Sequence, residues 1–367
     1  MARVIVLGGV GFIGRHLVTY LVDNNLASKV AVCDKVLPEV AALSKHESEV
    51  FASDKVVYKQ VNLARPSSAD SVFKLDGGNW DYAINLAATT KYSQTPELYQ
   101  ENIVEVARET SKAAKANNVK MFVHVSTAQV YDSGKKPCNE SSKLKPWTML
   151  AKASLEGENE VAKSGVRHVI VRPAIVYGPG DISGITPRLI CGAAYVKLKE
   201  TMEMLWDKSL KLSTVHVRDV VKALWFLASS GKAPDKSIYN LADTNDTDQG
   251  SVSNLIAELF NIKVSFLGSI KSKVATTVAM KTVADVANEK HLKPWSDLLK
   301  ESNISDSPLT PYINEELLYN NSSFIDGSAI KSLGFTYDYP TMTLDLLKEV
   351  IIDFEKKGFF PKNVLKA

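Results

Sequence analysis

Gly8-Gly9-Val10-Gly11-Phe12-Ile13-Gly14 follows a short apolar run, Arg3 to Leu7, and is the strongest chemical signal in the chain. Glycines at this spacing shape a turn around a diphosphate. Gly8 permits the tight turn, Gly11 admits a close approach of backbone to phosphate, and Gly14 lets the next helix pack near the strand. That helix would aim free N–H groups and its positive dipole end at the phosphates. Asp34 ends the next apolar run, 20 residues after Gly14. A carboxylate there accepts bonds from ribose hydroxyls and repels a 2′-phosphate. Together they imply a dinucleotide, NAD in preference to NADP, with Lys35 the neighbour that leans the other way.

Strands must carry these residues. Apolar runs predict them at Val4–Leu7, Lys29–Cys33, Val56–Gln60, Tyr82–Leu86, Lys120–Ser126 and His168–Pro173, with helical patterns between, the longest over Thr95–Asn117. Alternation of this kind implies an α/β fold: a doubly wound, Rossmann-type parallel sheet with helices on both faces. After about Ala174 the alternation fails. The reading is therefore a dinucleotide-binding domain over residues 1–174 and 211–242, with a smaller intercalated C-terminal domain over 175–210 and 243–367. Thr343 to Lys357 reads as an amphipathic helix stopped by Gly358. Thr276 to Leu299 places Val278, Met280, Val283, Val286 and Leu292 at near-helical spacing, suited to burial or to a partner. Trp206, Trp225 and Trp295 are expected in the core.

The 367 residues carry 44 Lys+Arg against 41 Asp+Glu, a net charge of +3. That balance supplies no electrostatic footprint for nucleic acid. No apolar run is long enough to span a membrane. Cys33, Cys138 and Cys191 stand far apart, and the six histidines show no ligand spacing, so neither a disulfide framework nor a metal is expected. The chain enters its first strand almost at Met1 without a signal peptide or presequence, and a cytoplasmic location is the expectation.

Beyond the glycine turn, several motifs resemble the extended short-chain dehydrogenase/reductase family, which includes nucleotide-sugar epimerases and dehydratases. Gly8, Gly11 and Gly14, with Phe12 and Ile13 between the last two, look like its glycine motif. Asn62-Leu63 sits where the family has Asp-Leu near the adenine. Asn85-Leu86-Ala87-Ala88 resembles the segment whose backbone lies along the cofactor. Ser126-Thr127-Ala128-Gln129-Val130-Tyr131 resembles the loop bearing the catalytic Ser or Thr, which gives that role to Thr127. Arg172-Pro173-Ala174-Ile175-Val176-Tyr177-Gly178-Pro179-Gly180 resembles the turn into the substrate domain. Thr214-Val215-His216-Val217-Arg218-Asp219-Val220 resembles the segment that returns to the core. The resemblance implies NAD as cofactor, with Ser126 and Pro173 beside it. In the returning segment Asp219 is read as a helix N-cap and His216 as a structural histidine. Arg188, in Pro187-Arg188-Leu189, stands where a sugar nucleotide's phosphate would be gripped, or on a helix surface.

One departure bears on activity. In this family a Tyr-x-x-x-Lys pair exchanges the substrate proton and holds the nicotinamide ribose. Here the segment reads Pro146-Trp147-Thr148-Met149-Leu150-Ala151-Lys152-Ala153-Ser154-Leu155-Glu156-Gly157-Glu158. One alignment puts Leu150 and Ser154 at the two positions; the other puts Thr148 and Lys152 there, giving Lys152 the ribose. Neither supplies a phenol, and losing such an acid–base group forfeits ~10²–10⁴-fold in rate. Tyr131 and Tyr177 are read as cleft-wall aromatics rather than substitutes. The missing phenol points first to a non-catalytic NAD-binding scaffold, sensor or accessory subunit, compatible with a protein assembly or a homo-oligomer. The alternative is an active NAD-dependent epimerase, dehydratase or oxidoreductase acting on a sugar nucleotide or another hydroxyl or carbonyl substrate.

Overall fold

Val4 and Val6 turn to one face of the first strand and Ile5 and Leu7 to the other, and all four are fully buried. A strand apolar on both faces needs cover on both sides. The computed structural model provides it, describing every residue except Val278, Ala279, Asn363, Lys366 and Ala367. Strands β1 (Ala2–Leu7), β2 (Ala27–Asp34), β3 (Val56–Gln60), β4 (Tyr82–Asn85), β5 (Met121–Val125) and β6 (His168–Pro173) match the expected runs closely. Two short strands, β7 (Ile175–Tyr177) and β8 (Met202–Met204), pair in parallel with β9 (Thr214–His216) and β11 (Val264–Phe266) outside the main sheet. The remaining strand, β10 (Ser237–Leu241), joins the edge of the main sheet beside β6.

That seven-stranded sheet runs β3-β2-β1-β4-β5-β6-β10, with every pair parallel. Leu17, Val18 and Leu21 of the Phe12–Asp23 helix cover one face with Val220, Leu224 and Leu227 of the Val217–Ser229 helix. Ala69, Val72, Val106, Ala107 and Val161 cover the other. The order reverses between β1 and β4, which opens a crevice at their carboxyl ends where ligands bind in open α/β sheets.

The helix expected over Thr95–Asn117 is broken. It runs as Pro96–Tyr99, a π-helical stretch at Gln100–Glu105, and Val106–Ala116. Within the wider stretch Glu101 reaches Asn62, and Asn102 reaches Lys35. A second correction concerns Asp219, which is not the N-cap. His216 caps the Val217–Ser229 helix by accepting the Arg218 N–H at Nδ1, 3.3 Å. Asp219 instead accepts the N–H groups of Asp338 and Tyr339, both at 2.8 Å, and so ties the C-terminal region to the sheet domain.

A second core gathers Leu189, Ile190 and Ala193 with Ile256, Phe260, Trp295, Leu347, Val350 and Phe354. The Leu344–Lys356 helix is capped by Thr343, whose Oγ1 accepts the Leu346 N–H. In the Met280–Glu301 helix Met280 is buried while Val286 and Leu292 are exposed; Val278 lies outside the described residues. Trp206 and Trp295 are buried, and Trp225 packs half-buried against the main core. Among the described residues no helix is long and apolar enough to cross a membrane.

Candidate active site

At the first end of the crevice the backbone forms the pocket. Gly8 has φ +77°, and a side chain there would meet Ala87 N at 2.6 Å, so this turn and the run after β4 touch main chain to main chain. A Cβ on Gly14 would lie 2.3 Å from the Gly8 carbonyl oxygen. Gly11 differs: a Cβ would meet only that oxygen, at 3.3 Å, and Gly11 is exposed. Its backbone caps the Phe12–Asp23 helix with no side-chain hydrogen bond, so the first-turn N–H groups of Phe12, Ile13 and Gly14 face the crevice uncapped. That is the arrangement a diphosphate needs.

Asp34 closes β2 with its carboxylate fixed by two N–H groups, from Val10 (3.0 Å) and Val36 (3.1 Å). Further lone pairs remain for ribose hydroxyls. Lys35 bonds Asn102 Oδ1 at 2.5 Å, which engages the nearby cation that would favour a 2′-phosphate. Asn62 accepts the Ala64 N–H and donates to Glu101, and the adjoining Leu63 is buried. Leu86 donates its N–H to Leu7, and Ala87 donates to Asn85 Oδ1, leading to Ala88, which is exposed. The Asn85 amide in turn bonds Nδ1 of His124, a histidine that burial holds neutral by pushing its pKa down to about 4. These residues fit NAD.

The opposite end is built of side chains. Thr127 lies two residues beyond β5, half-buried, and its Oγ1 accepts the Gln129 N–H at 3.2 Å. Gln129 Oε1 accepts the Thr148 hydroxyl at 3.0 Å, while Gln129 Nε2 donates to the Tyr92 hydroxyl at 2.7 Å. Thr148 also caps the Met149–Lys163 helix through the Ala151 N–H. Glu316, arriving from the C-terminal region, accepts the Met149 N–H and the Ser93 N–H, each at 2.9 Å. Sequence reasoning missed Tyr92, Gln129 and Glu316.

The packing of the Met149–Lys163 helix separates the two alignments. Ser154 and Glu158 are buried and Leu150 is half-buried, whereas Lys152 and Glu156 are exposed. Lys152, expected at the ribose, instead faces solvent with its Nζ beside Met149 Sδ at 3.9 Å. The inward row therefore runs Leu150, Ser154, Glu158, following the four-residue spacing of one helix face. Below it Glu158 takes two bonds from Arg172, at 2.9 and 2.5 Å, and one from Ser126. The Ser126 hydroxyl is thus bound to Glu158, and Pro173 is buried in the β6–β10 pairing. Arg172 also holds the Tyr131 hydroxyl, whose proton goes to Asn240. Tyr131 and Tyr177 are both fully enclosed, so neither phenol can touch a substrate.

Residues 4–242 match the NAD dependent epimerase/dehydratase family. The chain is 28% identical over 200 residues to dTDP-D-glucose 4,6-dehydratase of Dictyostelium discoideum, across 48% of this chain and 44% of that one. It is 26% identical over 235 residues to a decarboxylating sterol-4-alpha-carboxylate 3-dehydrogenase of Saccharomyces cerevisiae, across 60% and 65% respectively. The match thus spans less than two thirds of either relative. A dTDP-glucose 4,6-dehydratase from Streptomyces venezuelae, solved with NAD bound, shares the fold at 17% identity with a TM-score of 0.70, covering 99% of both chains. A glycine turn at the β1–β4 crevice, an acidic residue closing β2 and a match that runs through the whole sheet agree. The chain belongs to the NAD dependent epimerase/dehydratase family.

Proposed function

We propose that this protein is an NAD-dependent oxidoreductase or epimerase acting on a hydroxyl or carbonyl group of a substrate that also carries a phosphate or carboxylate. Arg188 is the observation that carries the reading. It lies half-buried in the first turn of the Thr186–Leu198 helix, and no hydrogen bond or ion pair engages its guanidinium among the described residues. A guanidinium partly withdrawn from water without a partner awaits an anion, and its fork suits phosphate and carboxylate. The loop before this helix borders the glycine turn: Pro179 accepts His16 Nε2 at 2.8 Å, and Gly180 faces Phe12. The relatives' substrates agree in kind, since sugar nucleotides and a sterol carboxylate are both anionic.

Bound NAD supplies a hydride acceptor or donor. Asp34 would bond the cofactor's ribose, the Phe12–Gly14 N–H groups would hold its diphosphate, and Thr127 would offer a hydroxyl to the substrate oxygen. A second reading, a non-catalytic subunit that keeps NAD for stability, rests on the absence of a phenol from the Met149–Lys163 helix. Arg188→Met discriminates. Loss of a charge-assisted pair should raise KM about 10–100-fold for a diphosphate or carboxylate substrate, with kcat little changed. With the cofactor site already filled by NAD, pyrophosphate should raise the Tm of the wild type and not of the variant. Equal protection of both would remove Arg188 from the site.

A further inference from the structure

We propose that Tyr92 is the catalytic acid of this site, a phenol delivered by the loop after β4 to the crevice end where the helix offers none. The proposal rests on the oxidoreductase reading above. Tyr92 is half-buried, and its oxygen is fixed by Gln129 Nε2 at 2.7 Å, yet its own proton has no acceptor among the described residues. The other phenols near the crevice are spent or sealed. Tyr99 donates to the Lys91 carbonyl, Tyr131 donates to Asn240, and the Tyr177 hydroxyl is enclosed without a partner.

Gln129 joins Tyr92 to Thr148, the residue that opens the Met149–Lys163 helix, and shares its backbone N–H with Thr127. One residue, through its side-chain amide and its backbone N–H, thus holds a phenol and two hydroxyls around one end of the crevice. Glu316 bonds the adjoining Ser93, and burial together with the Glu316 charge outweighs the Gln129 bond, so the phenol stays protonated at neutral pH. That state suits donation. As a substrate carbonyl carbon gains a hydride from the reduced cofactor, its oxygen takes the Tyr92 proton, giving the alcohol and the oxidised cofactor. The phenolate left behind accepts the Gln129 N–H and takes a proton back from water.

The test follows the Tyr92 ring carbon that bears the hydroxyl, by NMR of [ζ-¹³C]tyrosine-labelled protein, with Tyr92→Phe identifying the signal. A phenol beside the reacting ring feels the positive charge of oxidised nicotinamide. Its titration midpoint should fall by about one pH unit with NAD⁺ relative to NADH. Identical midpoints with the two cofactors would overturn the proposal, whether or not the protein turns substrate over. In turnover, Tyr92→Phe should cost ~10²–10⁴-fold in kcat while leaving NADH affinity unchanged; unchanged kcat would also overturn it. A midpoint shift in a protein that reduces or oxidises none of the anionic substrates supports the phenol's placement and counts against the oxidoreductase reading.

Discussion

The two ends of the crevice are made of different material. At the glycine turn the contacts are main chain to main chain: Gly8 against Ala87, Gly14 against Gly8, helix N–H groups toward the phosphate site. At the other end side chains make the contacts: Gln129 joins Tyr92 to Thr148, Thr127 holds the Gln129 N–H, and Glu316 holds the N–H groups of Ser93 and Met149. At Gly8 and Gly14 no side chain fits without moving the backbone, so there the first end fails as structure. A hydroxyl or an amide can change while the backbone stays, so the second fails as chemistry. The buried Glu158–Arg172 pair lies beneath the second end, bonded to Ser126 and to Tyr131 of the segment that also carries Thr127 and Gln129.

Substitutions should respect that division. The largest effect is expected for Gly14→Ala, whose methyl would stand 2.3 Å from a carbonyl oxygen and 2.6 Å from Gly9 Cα. Since backbone must move, the loss should reach about 4 kcal/mol or more, read from the urea midpoint. A midpoint near wild type would break the structural half of the comparison. Glu158→Ala should follow at about 3–5 kcal/mol, because it strands the Arg172 guanidinium, 2% exposed, without its carboxylate. Little change would mean water or another group replaces that partner.

Gly11→Ala sharpens the contrast within one motif. Its φ of −64° suits alanine, so stability should hold within ~0.5 kcal/mol while NAD affinity drops about tenfold or more. Unaltered affinity in calorimetry would take the diphosphate away from this turn. Asp243 gives a smaller effect with a defined sign. Burial raises its carboxyl to about 7, against the lower ordinary value. The folded protein then holds a proton that the unfolded chain releases, so stability should fall as pH rises from about 4 to 7. Asp243→Asn should flatten that slope in Tm against pH; an unchanged slope would place the titration elsewhere. The smallest effect is expected at exposed Lys152. Lys152→Ala should leave both stability and NAD affinity unchanged within error, and a clear loss of affinity would restore the other helix alignment.

The same division governs how much the chain alone discloses. Six strands and the glycine turn are written in contiguous residues, because apolar runs and glycine spacing are local properties. The Tyr92–Gln129–Thr148 chain joins residues 37 and 19 positions apart, and Glu316 meets Met149 across 167. No local pattern marks such a meeting. β10 was hard to read for a related reason: its Asn240 is buried among polar partners, so the strand lacks an unbroken apolar run. The alignment of the Met149–Lys163 segment stayed open in sequence because both spacings fit a helix. Only burial distinguishes the row containing Ser154 and Glu158 from the row containing Lys152.

Hydride transfer at this crevice is the central claim, and nicotinamide absorbance near 340 nm reports it directly. Wild-type protein would be loaded with NAD⁺, its cofactor content checked by native mass spectrometry, and mixed in turn with UDP- and dTDP-hexoses and with hydroxy acids. The account predicts a substrate-dependent rise at about 340 nm with at least one anionic class, steady for an oxidoreductase and transient for an epimerase, diminished in Gly11→Ala through lower NAD occupancy and slowed in Tyr92→Phe. Fully loaded protein that shows neither a steady nor a transient rise with either class would contradict it and favour a chain that holds NAD without using it.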